Sequence, residues 1–146
     1  MKRAIVLSGG GAKGAYQVGV WRALRKLNIK YDIVTGTSVG ALNGALMVQN
    51  EYIKARSMWN NISFDVIFNQ PMVGDLNTFK GKVEVFKKYM SNVLLHGGMD
   101  ISQLELTMDK YINHHKFYKS SIDYGLVTVN LSSFKPVLLN KNDIEP

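Results

Sequence analysis

Short apolar runs alternate with helical patterns along the first fifty residues. Residues 3–8 form an apolar run without polar alternation, which indicates a strand buried on both faces. A helical pattern over 15–27 follows, and a second apolar run at 31–35 leads into a helical pattern over 39–48. This order predicts a βαβ unit with a right-handed crossover. One face of the first helix is expected to carry Tyr16, Val20, Leu24 and Leu27.

The second half of the chain continues this mixture of helices and strands. Helical spacing of apolar residues recurs in three segments, at 51–62, 80–95 and 101–112. A β-branched run at 122–131 predicts a central strand, with 136–140 as its hairpin partner. No repeat, linker or low-complexity tract interrupts the sequence, so residues 1–146 are predicted to form one domain. The expected fold class is α/β, a three-layer α/β/α arrangement around a mostly parallel sheet.

Composition restricts the classes of protein that fit this pattern. The 146 residues are 46% apolar and 20% charged, which is ordinary for one globular domain with a real core. No apolar run approaches the roughly 20 residues that span a bilayer, and the N-terminus resembles a strand more than a signal peptide. The sequence has no cysteine, which excludes a disulfide scaffold, a thiolate nucleophile and a cysteine zinc site. These features predict a soluble, cytoplasmic protein.

The net charge of +7 raises the question of an anionic partner. The lysines and arginines are spread along the chain, and no arginine-rich arm or aromatic-basic run accompanies them, so nucleic acid is not an expected partner. Solvated helix faces explain most of this charge. Peripheral contact with an anionic membrane surface remains the alternative. The sequence does not predict an oligomeric state.

The segment Gly36-Thr37-Ser38-Val39-Gly40 matches G-x-S-x-G and lies between a predicted strand and a predicted helix. This is the strand–turn–helix context of a nucleophile elbow. Glycines at both ends of such a turn let the strand and helix backbones pass close together. The serine would lie at a helix N-terminus, where free N–H groups favour developing negative charge. Ser38 is therefore the candidate nucleophile, with Gly36, Val39 and Gly40 forming the elbow.

A glycine run follows the first predicted strand and is expected to lie beside the elbow. Open α/β sheets place their sites at the carboxyl ends of neighbouring parallel strands, so the two loops should converge. Acyl transfer needs N–H donors directed at the oxyanion of a tetrahedral intermediate, and unobstructed backbone groups supply them. The candidate oxyanion-binding glycines are Gly9, Gly10, Gly11 and Gly14.

Together, the segments LSGGGAKGAY at 7–16 and DIVTGTSVGALN at 32–43 resemble the start of a bacterial patatin-like phospholipase. The similarity continues through 100–104 and 122–146. It implies a patatin-like fold and a lipid acyl hydrolase that acts on lipid or acyl esters through a Ser-Asp dyad, without metal or cofactor. The resemblance implies that Ser38 is the nucleophile, that the glycine run holds the oxyanion, and that Lys13 fills the family's basic position.

One feature of that family is missing from the sequence. The family's catalytic aspartate lies in a D-G-G or D-G-A motif, whereas no aspartate here is followed by glycine. We therefore expect the chain to be the C-terminally truncated, N-terminal part of a longer domain, inactive alone and active at full length. Asp32 should lie at the sheet edge opposite the elbow, and His96, His114 and His115 are expected at the surface or at helix ends.

Two other classes of function remain open from the sequence. The glycine run also matches G-x-G-x-x-G, and Asp32 lies at about the distance of a dinucleotide-binding acid. However, Asp32 opens the second strand, whereas a Rossmann acid follows that strand. The second alternative is a non-catalytic α/β interaction module in which Ser38 is only structural.

Overall fold

The computed structural model describes residues 1–61, 78, 81, 102–130 and 132–144. The chain divides into two compact units, Met1–Asn61 with Asp109–Pro146, and Ile62–Met108. Apart from Gly81, the helix predicted at 80–95 lies outside the described residues, as does His96. The expectation of a single domain without an internal boundary stays a prediction.

Four strands form one sheet in the order β1-β2-β3-β4. The strands are β1 (Ala4–Leu7), β2 (Ile33–Thr37), β3 (Asp123–Asn130) and β4 (Lys135–Asn140). The first three are parallel, and β4 returns antiparallel to β3 as a hairpin partner. Gly36 of β2 pairs with Leu7 on one side and with Leu126 on the other. The predicted α/β class with a mostly parallel sheet is confirmed.

Five helices accompany the sheet in the described part of the chain. They are α1 (Gly14–Lys26), α2 (Val39–Val48), α3 (Tyr52–Asn61), α4 (Ser102–Tyr111) and α5 (His114–Lys119), and a short 3-10 helix (Gly11–Lys13) precedes α1. The sequence pattern did not predict α5, which begins after Asn113, whose side chain accepts a hydrogen bond from the Lys116 N–H. None of the helices described here combines the length and apolar character needed to cross a membrane.

Helix α2 is the element packed most closely on the sheet. It contacts β1, β2 and β3, and its side chains Leu46, Met47 and Val48 are almost completely buried. A Cβ on Gly44 would lie 3.1 Å from a Val34 methyl carbon and 3.2 Å from the Tyr124 ring. This glycine therefore lets the helix approach the two central strands.

Tyr124 of β3 connects the sheet to the first turn of α2. Its hydroxyl donates a 2.8 Å hydrogen bond to the Ala41 carbonyl. Burial raises the pKa of Tyr124, because the ionised phenolate would lose its hydration. The hydroxyl thus remains protonated and keeps donating across the physiological pH range.

The buried face of α1 differs from the predicted one. The structure buries Gly14, Val18 and Trp21, whereas Tyr16 and Leu27 are 77% and 68% exposed. Helix α3 packs against α1 and explains the choice of face. The Trp21 ring meets the Tyr52 ring of α3 edge to face at 5.3 Å, while Gly14 leaves room for Trp59. The predicted face was therefore wrong, although the predicted helix is present.

Candidate active site

Ser38 occupies the turn between the carboxyl end of β2 and the start of α2. Its backbone has φ 53° and ψ −129°, a conformation that costs a residue other than glycine roughly 1–3 kcal/mol. Ser38 is exposed, and its side chain makes no capping hydrogen bond to the helix. The strained turn therefore presents an accessible hydroxyl at the positive end of the α2 dipole.

Gly36 and Gly40 are required by the close packing around this turn. A Cβ on Gly36 would lie 2.4 Å from the Gly40 carbonyl carbon, and a Cβ on Gly40 would lie 2.3 Å from the Leu7 carbonyl oxygen. Both contacts are with backbone atoms, which cannot rotate away as a side chain can. The elbow residues predicted from the sequence, including Val39 as the first residue of α2, thus form one tight strand-to-helix turn.

The glycine loop, residues 9–14, follows β1 and runs beside Ser38. A Cβ on Gly9 would lie 3.3 Å from the Ser38 Cβ and 4.0 Å from its Oγ. Gly10 and Gly11 have φ values of 149° and 54°, in the region that favours glycine. The Lys13 N–H donates to the Gly10 carbonyl at 3.1 Å and closes the following turn, and Lys13 itself is exposed. The structure therefore brings together the two loops that the sequence predicted to converge.

A buried amide that the sequence interpretation missed connects the elements around this site. Asn43 of α2 is only 1% exposed. Its Nδ2 donates to the Gly14 carbonyl at 2.9 Å and to Gln17 Oε1 at 2.8 Å, and its Oδ1 accepts from Trp59 Nε1 at 2.8 Å. Gln17 Nε2 donates in turn to the Ser8 carbonyl at 2.6 Å. The sequence does contain a signal for this role, because Asn43 is a polar residue within an otherwise apolar helix.

Three aspartates lie at the end of the sheet opposite Ser38. Asp32 directly precedes β2, and Asp123 is the first residue of β3, so both lie at the amino ends of parallel strands. Asp143 follows the antiparallel β4, where its carboxylate accepts a 2.8 Å hydrogen bond from the Asn140 N–H. None of the three is placed to take a proton from Ser38. The position of Asp32 also disagrees with a dinucleotide-binding acid, which follows its strand.

The described histidines show no sign of a triad. His114 and His115 are exposed, as the sequence predicted, and they form the start of α5, whereas His96 lies outside the described residues. A triad histidine would need a hydrogen bond to the serine and an orienting carboxylate behind it. Within the ranges that the structure describes, no group of three or more histidine or acidic side chains could hold a metal ion.

An open groove of about 580 Å³ lies far from this turn. Its lining includes Arg3 and Ile5 of the β1 region, Val20 and Leu24 of α1, and Ile29. These residues surround the amino end of β1, whereas Ser38 follows the carboxyl end of β2, which is parallel to β1. The groove is therefore separate from the elbow and the glycine loop.

Known phospholipases and lysophospholipases match this chain in sequence. The family model for patatin-like phospholipases matches residues 5–144. Lysophospholipase nte1 of Aspergillus terreus is 40% identical over 79 residues, 54% of this chain and 4% of that protein. Patatin-like phospholipase domain-containing protein 7 of Rattus norvegicus is 54% identical over 46 residues, 32% of this chain and 3% of that protein. A Caenorhabditis elegans protein, patatin-like phospholipase domain-containing protein ZK370.4, is 58% identical over 45 residues, 31% of this chain and 3% of that protein. The matched segments thus span a small fraction of these relatives.

Proposed function

Because the chain belongs to the patatin-like phospholipase family, we propose that it carries a serine acyl hydrolase site for lipid esters. The family membership expected from the sequence is confirmed, whereas a bacterial origin stays a prediction. The Aspergillus terreus relative is named a lysophospholipase, so a lysophospholipid is the first substrate to test. A cytoplasmic location and peripheral contact with a lipid surface also remain predictions.

The single observation that carries the proposal is the closeness of the glycine loop to Ser38. In the proposed reaction, Ser38 Oγ attacks the acyl carbonyl and its proton passes to a general base. The oxyanion of the tetrahedral intermediate accepts hydrogen bonds from the Val39 N–H and from glycine-loop N–H groups, each donor contributing about 10²–10³ in rate. The base returns the proton to the leaving oxygen as the ester bond breaks, which releases the alcohol and leaves an acyl-serine. Water then hydrolyses the acyl-serine to the carboxylic acid and regenerates Ser38.

The general base of the proposed Ser-Asp dyad is a carboxylate other than Asp32, Asp123 and Asp143. Those three lie at the opposite end of the sheet from Ser38. No aspartate of residues 1–146 is followed by glycine, as the catalytic aspartate of the family's D-G-G or D-G-A motif is. Lys13 is an exposed cation on the glycine loop, where it would attract the anionic part of a lipid substrate.

The proposal is tested with the complete translated polypeptide that contains residues 1–146, assayed on lysophosphatidylcholine micelles. Ser38→Ala should lower hydrolysis by roughly 10³-fold or more, because the attacking oxygen is gone. Ser121→Ala is the matched control, since Ser121 is exposed and lies just before β3 at the far end of the sheet. Undiminished hydrolysis by Ser38→Ala would overturn the proposal, whereas loss in Ser38→Ala alone supports it.

A further inference from the structure

The glycine loop is held at both of its ends by side chains that meet on one buried amide. At its start, the Ser8 carbonyl accepts a 2.6 Å hydrogen bond from Gln17 Nε2. At its end, the Gly14 carbonyl accepts a 2.9 Å hydrogen bond from Asn43 Nδ2. Gln17 Oε1 also accepts from Asn43 Nδ2 at 2.8 Å, so both ends connect to Asn43. Asn43 belongs to α2, the helix that begins directly after Ser38.

The orientation of the Asn43 amide is fixed by its surroundings. The residue is 1% exposed, so its donors and acceptor must be satisfied within the protein. Trp59 Nε1 donates to its Oδ1 at 2.8 Å, which leaves the two N–H bonds of the amide for the Gly14 carbonyl and for Gln17 Oε1. The Asn43–Gly14 hydrogen bond is buried and resists displacement because the alternative is an unpaired polar group, whereas the Gln17–Ser8 hydrogen bond is exposed. The helix that follows Ser38 and the glycine loop are thereby linked by hydrogen bonds through Asn43 and Gln17.

We propose that Asn43 and Gln17 are positioning residues that set the distance between the oxyanion-binding glycine loop and Ser38. This assignment rests on the proposed function, because it assumes that the loop stabilises the oxyanion formed at Ser38. Neither side chain touches the substrate in this scheme. Loosening the loop weakens interactions that form mainly in the transition state, so kcat should fall while KM changes little.

Two variants of the complete polypeptide remove parts of the network. Gln17→Met keeps the length of a half-buried side chain but removes both the donor to the Ser8 carbonyl and the acceptor for Asn43 Nδ2. Asn43→Asp keeps an acceptor for Trp59 and removes both N–H donors. The assay is steady-state hydrolysis of p-nitrophenyl butyrate, with circular dichroism to verify folding. We expect kcat to fall about 10- to 100-fold and KM to change less than about threefold, because small displacements of catalytic groups have effects of this size.

Arg25→Met is the matched control, because it also removes a side-chain hydrogen bond between α1 and the α2 region. Arg25 of α1 donates a 2.6 Å hydrogen bond to Asn50, which lies just after α2 at the end remote from Ser38. A general loosening of helix packing would lower kcat equally in Arg25→Met and Gln17→Met. The positioning role predicts wild-type kcat for Arg25→Met and a reduced kcat for Gln17→Met.

The possible outcomes separate this inference from the proposed function. If the wild-type polypeptide hydrolyses no ester in a Ser38-dependent way, the proposed function fails and the positioning role fails with it. If hydrolysis depends on Ser38 but Gln17→Met keeps the wild-type kcat, only the positioning role is overturned. Should Asn43→Asp fail to fold, the folded Gln17→Met variant and its Arg25→Met control decide the question.

Discussion

Ser38 adopts a left-handed backbone, with φ 53°, although it carries a side chain. Close backbone packing holds Ser38 in this conformation. Because Gly36 and Gly40 lack side chains, the end of β2, the end of β1 and the start of α2 can lie in contact. The requirement for glycine at these positions is local, so the sequence motif could predict it. The role of Asn43 depends on partners from two other helices, which no local pattern reveals.

Alanine substitutions of two glycines should have opposite effects on stability. Gly40→Ala places a Cβ 2.3 Å from the Leu7 carbonyl oxygen, so we expect it to lower the free energy of unfolding by about 3 kcal/mol, the upper end of the usual cost of overpacking. Gly19→Ala is the control, because nothing lies within 4 Å of its Cβ position on α1. It should raise stability by about 0.5–1 kcal/mol through helix propensity. Urea unfolding measures both, and a Gly40→Ala variant of wild-type stability would contradict the packing described.

At the scale of elements, α2 connects the Ser38 turn to the sheet through its small residues and through the hydrogen bond from Tyr124. The helix periodicity predicted the bounds of α1, α2 and α3 to within one residue. The periodicity did not predict which face of α1 is buried. Gly14 and Trp21 lie on that face because they fit against Trp59 and Tyr52 of α3. Helix α5 was missed because its six residues are too short for a periodic pattern.

Tyr124→Phe tests the connection between β3 and α2. Losing the hydrogen bond to the Ala41 carbonyl should lower the free energy of unfolding at pH 7 by about 0.5–1.5 kcal/mol. Tyr16→Phe, at a 77% exposed position on α1, should change stability little. Denaturant unfolding of the wild type and both variants measures these differences. Equal stability of Tyr124→Phe and wild type would argue against the connection.

The same variant predicts a difference at alkaline pH. Burial raises the pKa of Tyr124 in the folded protein above its unfolded value of about 10. Its stabilising contribution is therefore complete below that unfolded pKa and is lost as the pH rises towards the folded pKa. The stability difference between wild type and Tyr124→Phe should shrink between roughly pH 9 and pH 11. A constant difference over this range would indicate that the Tyr124 hydroxyl ionises as readily in the folded state as in the unfolded state.

At the scale of the whole molecule, the order of strands and helices was predictable because each βαβ step follows from the alternation of patterns and from crossover handedness. The convergence of the glycine loop and the serine turn followed from the same topology. The general base could not be assigned in this way. Position in a fold decides which carboxylate reaches the serine, and the three aspartates placed by the sheet lie at its far end.

The polypeptide consisting of residues 1–146 should show little or no Ser38-dependent ester hydrolysis. The reason is that no aspartate of residues 1–146 lies in the family's D-G-G or D-G-A motif, and Asp32, Asp123 and Asp143 lie at the opposite end of the sheet from Ser38. Hydrolysis of p-nitrophenyl butyrate by this chain and by its Ser38→Ala variant measures the effect. Turnover that disappears in Ser38→Ala would show that the base lies within residues 1–146.

The central claim, that Ser38 is the nucleophile, is tested most directly by covalent labelling of the complete translated polypeptide. A fluorophosphonate reacts with an activated serine, and mass spectrometry then locates the adduct. The tryptic peptide 31–54 contains Ser38 as its single serine, so the assignment is unambiguous. We predict an adduct on this peptide in the wild type and none in Ser38→Ala. An adduct elsewhere, with ester hydrolysis preserved in Ser38→Ala, would contradict the account.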